Sequence, residues 1–556
     1  MMNRLIPALL LLLFLALGAH QLHLPGLHYD EAKEAGLNAM QLLTGQPVTA
    51  FRDATIALGS RRVPLMVQDY IGALNVFLAL PFLALGGINT VALRYLPLLT
   101  GGLTLLLTWH VARHLGGTAA AHSAALLLAV NPSFVFWSRQ GVFVTNITAL
   151  CLMAALFFGL RWWARRRPAD LWLTALLCGL GLYAKLLFLW AIGAMALVAV
   201  LAWLLRRRPA PDHPPTLPMP IVWGVAALCF LLPLVPFILF NLQTSGTFAS
   251  VLGNLERSYY GVNNRALLPN LLVRLGQLRT LLRGDQFWYL GGIFASEPAP
   301  YLAGGLTMAG LLLAPGKQRW ALLIPLALLA LMVVQSIFTV SDLFVTHYAL
   351  LLPLIPLTGG LAAAFVARRG PGSAAGWRLG LALAALLLWA GSDLWTTVRY
   401  HQALARTGGH SAHSSAVADL AAYLKGNARG PVVVIDWGIS APVEFLTAGA
   451  VRPLEVFGYE NLAAPDAGFA ARVELFLSQP DALYLAHTPE DTVFRGRAEA
   501  LAALAEERGL QLQEERVFAE KSGRPLLVVY RVIPACSSGP VEVGCCEGKQ
   551  KGVREQ

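Results

Sequence analysis

The chain has 556 residues, 56% hydrophobic and only 13% charged, with 42 Lys and Arg against 31 Asp and Glu and a net charge of +11. A soluble domain carries about 25% charged and 45–50% apolar residues, so this composition excludes an ordinary soluble enzyme and indicates a polytopic membrane protein. The positive balance does not point to nucleic acid, because the basic residues lie in short clusters between apolar runs, the pattern of membrane orientation.

A membrane helix needs about 20 mostly apolar residues. By that length the sequence predicts eleven spans: 5–22, 88–112, 119–137, 143–163, 170–185, 187–205, 219–241, 300–315, 320–340, 346–367 and 377–397. The first follows Asn3-Arg4 and has the length of a signal peptide. "HQLHLPG" is a poor cleavage site, however, so the run is expected to be retained as a helix. Residues 70–86 are apolar but short and contain Pro81, which predicts a membrane-edge or re-entrant segment. The expected organisation is a multi-span module over 1–400, whose first external loop is 23–87. An α/β domain outside the membrane follows over 401–535, and then a disordered tail over 536–556.

Positive charge supports this topology. With the N-terminus in the cytoplasm, the inside loops hold Arg4; Arg113 and His114; Arg161 and Arg165 to Arg167; Arg206 to Arg208; Lys317 and Arg319; and Arg368, Arg369 and Arg378. Loop 242–299 is basic although external, with Arg257, Arg265, Arg274, Arg279 and Arg283, but long loops translocate regardless of charge. It would suit lipid phosphate, or be a solvated amphipathic helix over 266–283. An odd number of spans leaves the C-terminal domain outside, and the expected location is the plasma (inner) membrane of a bacterium. In that domain "PVVVID" (431–436), "ALYLAH" (482–487) and "PLLVVYRV" (525–532) read as strands, and 415–425 and 495–508 as helices. It has no Gly-rich phosphate loop.

The outer face gathers the chemistry. Asp30-Glu31 stand directly after the first span, where ionisable residues are costly and default to functional candidates. They also suit the first turn of a helix over 30–43, where acids favour the dipole. Gln68-Asp69-Tyr70, Ser138-Arg139-Gln140, Lys185 and His347-Tyr348 reach the same face from separated parts of the chain. Acids beside cations suit removal of a proton from a nucleophile while an anionic group is held, and lipid phosphate is the simplest anion there. His20, His23 and His28 straddle a helix end and a Pro-Gly break, a spacing that favours interfacial histidines over a metal site. No cofactor is indicated, although a divalent metal is compatible with the sequence. Cys151, Cys178 and Cys229 read as small buried hydrophobes, and Cys536, Cys545 and Cys546 lie in the tail.

The order of these features resembles the GT-C glycosyltransferases, in particular glycosyltransferase family 39 of the PMT_2 type, the protein O-mannosyltransferases and lipid A aminoarabinose transferases. "DEAKEAGLNAMQLLTGQP" is similar to that family's opening external motif. "DYIGALNVFLALPFLALGGINTVALRYLPLLTGGLTLLLTWHVARHLGG", "NPSFVFWSRQGVF", "GLGLYAKLLFLW" and "HYALLLPLIPL" resemble four later blocks, and the likeness spans about residues 5–370. It implies an α-helical GT-C fold and transfer of a hexosyl or pentosyl group from a polyprenyl-phosphate donor to a lipid, glycan or protein hydroxyl at the outer face, with inversion. It further implies that Asp30 is the catalytic acid and Glu31 its partner. Arg139, Lys185 and His347 would lie near the donor phosphate, with Asp69 and Tyr348 in acceptor or secondary positions. Two departures stand out: Thr145-Asn146 where the family often has an acid, and His347 where it often has Arg. The alternative reading is a transporter or lipid-linked sugar flippase without transferase activity. Paired repeats and broken midplane helices would mark it, but the two halves here are dissimilar and the polar residues collect at one face.

Overall fold

The computed structural model describes residues 2–141, 145–205, 218–258, 260–340, 343–368 and 376–535. Every segment read as a span is helical, and the chain is a multi-pass, mostly helical membrane protein. The count of eleven is not reproduced by length. Six helices are long and apolar enough to cross a bilayer alone: Thr90–Gly116, Ile147–Arg165, Leu186–Leu204, Met219–Thr244, Gln318–Gln335 and Gly376–Thr407. Two bent pairs raise the number to eight, while Leu5–Ala19, Pro168–Ala184 and Ala299–Leu313 are shorter apolar helices. At 1.5 Å per residue a 15-residue helix reaches only about 23 Å, short of a hydrocarbon core of about 30 Å.

The bends have sequence causes. Thr118–Val130 and Pro132–Gln140 meet at 63°. Pro132 lacks an N–H and drives the residue before it out of the helical region, and Asn131 is accordingly extended at φ −63° and ψ 123°. Its side chain then accepts the Phe134 N–H at 3.0 Å and starts the second half. Val345–Leu351 and Leu354–Ala367 meet at 47° around Pro353. Helices pack closely where side chains are small: a Cβ on Gly360 would lie 2.4 Å from the Ala124 nitrogen. Without a hydrophobic force between helices in lipid, such close approach supplies dispersion contacts that hold the bundle.

Residues 70–86 form the helix Leu74–Gly86, 13 residues with Pro81 inside. The segment 45–73 holds two short antiparallel pairs that the sequence did not announce, Thr55–Leu58 with Arg61–Pro64 and Met66–Gln68 with Ile71–Gly72. The segment 266–283, expected as an amphipathic helix, is the helix Leu267–Arg283.

The chain divides into two compact units. One comprises Met1–Asn427, Gly438–Pro453 and Phe518–Leu527; the other comprises Ala428–Trp437, Leu454–Val517 and the chain from Val528. The last membrane helix continues to Thr407, and the second unit begins at Ala428, later than the expected boundary at 401. The C-terminal region carries a five-stranded sheet in the order Leu454–Glu455, Val432–Val434, Leu483–His487, Pro525–Pro534, Leu510–Ala519, with the first three strands parallel. Val433, Val473, Tyr484 and Leu501 are fully buried in the core of the second unit. Beyond the Val432–Val434 strand, Asp436 accepts from Thr492 Oγ1 and the Phe494 N–H, both at 2.9 Å, and contacts His487 Nδ1 at 2.7 Å. These bonds tie down loop 492–494. Cys536, Cys545 and Cys546 lie outside the described residues.

Candidate functional site

The segment that follows the first apolar helix is one helical run with a widened middle: Tyr29–Glu31 is α-helical, Ala32–Gly36 is a π-turn and Leu37–Thr44 is α-helical. Such π-turns occur mostly as single insertions within α-helices and often at functional sites. His28 caps the run, its Nδ1 accepting the Asp30 N–H at 3.2 Å. His28 in turn stacks on His413 at 4.2 Å, and His413 on Tyr289 at 3.8 Å. The expected helix over 30–43 is therefore present, and its acids project in different directions.

Glu31 points into the bundle and is 0% exposed. Arg94 Nε and Nη2 donate to its two oxygens at 2.7 and 2.9 Å. The remaining Arg94 hydrogens go to the carbonyls of Leu22 (3.0 Å), Pro25 (2.9 Å) and Gly26 (3.3 Å). A guanidinium has five N–H donors, and all five are used. Arg139 lies in the same layer, also 0% exposed, with Nη2 donating to the carbonyls of Gln21 (2.5 Å) and Leu24 (3.1 Å) and Nη1 beside His401 Nδ1 at 3.2 Å. Arg139 is thus held by backbone carbonyls of 21–24, as Arg94 is by those of 22–26, while its buried Nε has no hydrogen-bond partner. Together the two arginines secure the segment that leads to Asp30, and Glu31 is the ion-pair partner of Arg94.

Asp30 faces the other way. Its side chain is 34% exposed, and its carboxylate lies 3.9 Å from His28 Nδ1. One turn on, Glu34 is buried, and the charges acting on it are Lys185 and Asp30. Lys185 is buried and feels Glu34 and Asp30. Glu34 lies outside the membrane helices, and burial pushes its carboxyl well above the usual range, with Lys185 pulling it back. Lys185 thus lies within electrostatic reach of both Asp30 and Glu34. His347 is buried and feels the charges of Lys185 and Arg274. Arg274 is buried, donates from Nε to the Ser336 carbonyl at 2.8 Å, and lies 5.6 Å over the Tyr348 ring. Tyr348 is fully buried, its hydroxyl 2.8 Å from Ser336 Oγ and its ring beneath Arg274.

Lys185 is placed by the first loop. Residue 185 is extended, at φ −159° and ψ 131°, in the break between the helices Pro168–Ala184 and Leu186–Leu204. It bridges Ile71 as an isolated β-pair, and the Leu186 N–H donates to the Tyr70 carbonyl at 2.9 Å. The Tyr183 hydroxyl donates to the Leu65 carbonyl at 2.9 Å and accepts the Ala73 N–H at 3.2 Å. Only glycine fits at 72, where a Cβ would lie 2.2 Å from the Tyr183 carbonyl oxygen. Asp69 stands at the rim, clamped by Arg52 through two bonds of 2.7 and 2.8 Å.

Tyr70 and Arg274, singled out in the sequence only as members of an outer-face group and of a basic loop, belong to these layers, and so do Glu34 and Arg94, to which the sequence reading assigned no role. Glu34 follows Asp30 at i+4, which places two acids on one helix face. Arg94 is a lone cation inside an apolar helix, a functional or pairing signal by default. Among the described residues no group of three or more His, Cys, Asp or Glu is arranged to hold a metal ion.

Residues 74–240 match the family model described as Dolichyl-phosphate-mannose-protein mannosyltransferase, PMT_2. No curated protein matches the chain by sequence. Among solved structures, ArnT from Cupriavidus metallidurans bound to undecaprenyl phosphate superposes with a TM-score of 0.55 at 15% identity, over 94% of this chain and 97% of that one. The Archaeoglobus fulgidus oligosaccharyltransferase in its apo form gives 0.52 at 15% identity, over 93% of this chain and 74% of that one. The chain carries the PMT_2 sequence signature over 74–240 and has the GT-C fold.

Proposed function

We propose that this protein is an integral-membrane glycosyltransferase that moves a sugar from a polyprenyl-phosphate carrier to an acceptor hydroxyl on a lipid, glycan or protein. The observation that carries the reading is the partly exposed Asp30 carboxylate beside the buried Glu34 and Lys185, backed by His347 and Arg274. An acid open to solvent next to a desolvated cation is what deprotonation beside an anionic leaving group needs. The matched family model names a phosphate-linked mannose donor, and the ArnT structure holds undecaprenyl phosphate.

In the proposed reaction Asp30 takes the acceptor O–H proton as the oxygen attacks the anomeric carbon. The bond from that carbon to the phosphate oxygen breaks, and the polyprenyl phosphate leaves with its new charge facing Lys185 and Arg274. A single displacement inverts the anomeric centre. Glu34 supplies a counter-charge within electrostatic reach of Lys185 and a carboxylate beside Thr145, where the family often carries its own acid. The site opens on the outer face of a bacterial inner membrane, with the N-terminus inside.

The test is Asp30→Asn in the full chain reconstituted into vesicles with a radiolabelled polyprenyl-phosphate sugar. Loss of a general base lowers turnover by about 10²–10⁴-fold. Unchanged transfer removes Asp30 from the mechanism. Movement of carrier across the bilayer without sugar transfer replaces the enzyme with a flippase.

A further inference from the structure

A second charged cavity lies at the far end of the bundle. The helix Thr90–Gly116 carries Arg94, which anchors Glu31, near its start. Arg113 is nineteen residues further on, about 29 Å at 1.5 Å per residue. There a cavity of about 480 Å³ is lined by His110, Arg113 and His114 from that helix and by Phe157, Arg161 and Arg165 from Ile147–Arg165. Five of its six lining side chains are basic or imidazole.

Membrane orientation alone explains basic residues scattered along loops. It does not explain their convergence from two helices on one concavity. Among the described residues, the one acid ion-paired with any of these cations is Asp170, 3.2 Å from Arg161 Nη2. Arg161 Nε is buried without a hydrogen-bond partner, and its guanidinium lies 5.4 and 5.5 Å over the rings of Phe157 and Phe158. Arg113 is likewise stacked, 5.1 Å from the Trp109 ring. Aromatic faces hold the guanidinium planes in place, so their N–H edges are pre-set. A phenyl wall beside stacked arginines suits a headgroup whose chains continue into the bilayer.

We propose that this cavity binds a phosphate ester at the membrane face opposite the candidate catalytic site, the phosphate meeting Arg113, Arg161 and Arg165 and Phe157 packing against its organic part. The shared chemistry is an oxyanion with at least two free oxygens, which arginines grip through paired N–H bonds. The proposal stands apart from the transferase reading, since none of these six residues belongs to the Asp30 cluster.

The experiment uses the full chain in nanodiscs of phosphatidylcholine with or without phosphatidylglycerol, with retained lipid counted by native mass spectrometry. The double variant Arg113→Gln/Arg165→Gln leaves the Arg161–Asp170 pair intact. Each basic residue near an anionic lipid surface contributes about 1 kcal/mol, so the variant should lose about 30-fold in preference for phosphatidylglycerol. A second double variant, His110→Gln/His114→Gln on exposed positions, should lose less, and it serves if the first does not fold. In phosphatidylcholine alone, inorganic phosphate is titrated against thermal unfolding. Protection of wild type but not of the arginine variant assigns the site to a soluble phosphate ester; lipid retention without such protection assigns it to a headgroup. Equal lipid retention and equal phosphate response in wild type and variants overturn the proposal.

Discussion

Asp30 and Glu31 are neighbours in sequence, yet they belong to different parts of the molecule. Glu31 is closed off, its oxygens taken by an arginine whose other hydrogens are also taken. Asp30 stands partly open, within electrostatic reach of the buried Lys185. Successive helical residues point about 100° apart, so adjacent acids need not share an environment. A satisfied buried ion pair fixes where the chain goes, whereas an acid with free lone pairs next to a desolvated cation is available for chemistry.

The comparison can be tested from its largest expected consequence downward. Asp30→Asn should cost about 10²–10⁴-fold in turnover with normal expression. Glu31→Gln should act on the amount of folded protein, so a purely catalytic defect in Glu31→Gln would erase the distinction. Arg94→Met leaves the Glu31 carboxylate buried alone, and breaking such a pair costs about 3–5 kcal/mol. Thermal unfolding in detergent should show it, and a shift within error would mean that Glu31 is not held as described.

Lys185→Gln should lower turnover by about 10²–10³-fold, the usual consequence of losing a donor aimed at developing charge, with Lys185→Arg restoring part of it. If Arg139→Gln produces the same loss without destabilisation, the phosphate role lies with Arg139. Gly72→Ala should cost about 1–3 kcal/mol by overpacking, because the new Cβ meets the Tyr183 carbonyl oxygen; it should also lower transfer, since that strand places Lys185.

The smallest effect concerns pH. Burial raises the Glu34 carboxyl well above the usual carboxylate range. Below its raised pKa Glu34 is neutral and Lys185 loses that counter-charge, so transfer should rise with pH through a window above about 4.5. Glu34→Gln should flatten this acid limb in a kcat/KM profile while leaving a measurable rate. A limb unchanged in Glu34→Gln would assign it to another group.

Much of the fold was legible because a bilayer leaves the backbone few choices. Long apolar runs become helices since their N–H and C=O groups find no other partners in lipid, and Pro132 and Pro353 mark the two bends. The strands 432–434, 483–487 and 525–534 were foreseen from short apolar runs, Val-rich in the first and last, whereas Leu510–Ala519, rich in Glu and Gln, was not. The short pairs within 45–73 escaped notice because two to four residues give no clear alternation. Several apolar helices fall short of a full crossing because residue counts say nothing about bends or tilt.

The sequence by itself determined that this is a membrane chain, where its helices lie, and that Asp30 stands at the exit of the first. Tertiary structure alone decided which polar groups pair. Arg94 reaches Glu31 across 63 residues; Arg139 reaches the Gln21 carbonyl across 118; and Ile71 presents a strand edge to Lys185. Local periodicity records which side of a helix is apolar. It does not record the depth or direction at which two distant side chains meet, and those decide whether a charge is spent on the fold or kept for a substrate.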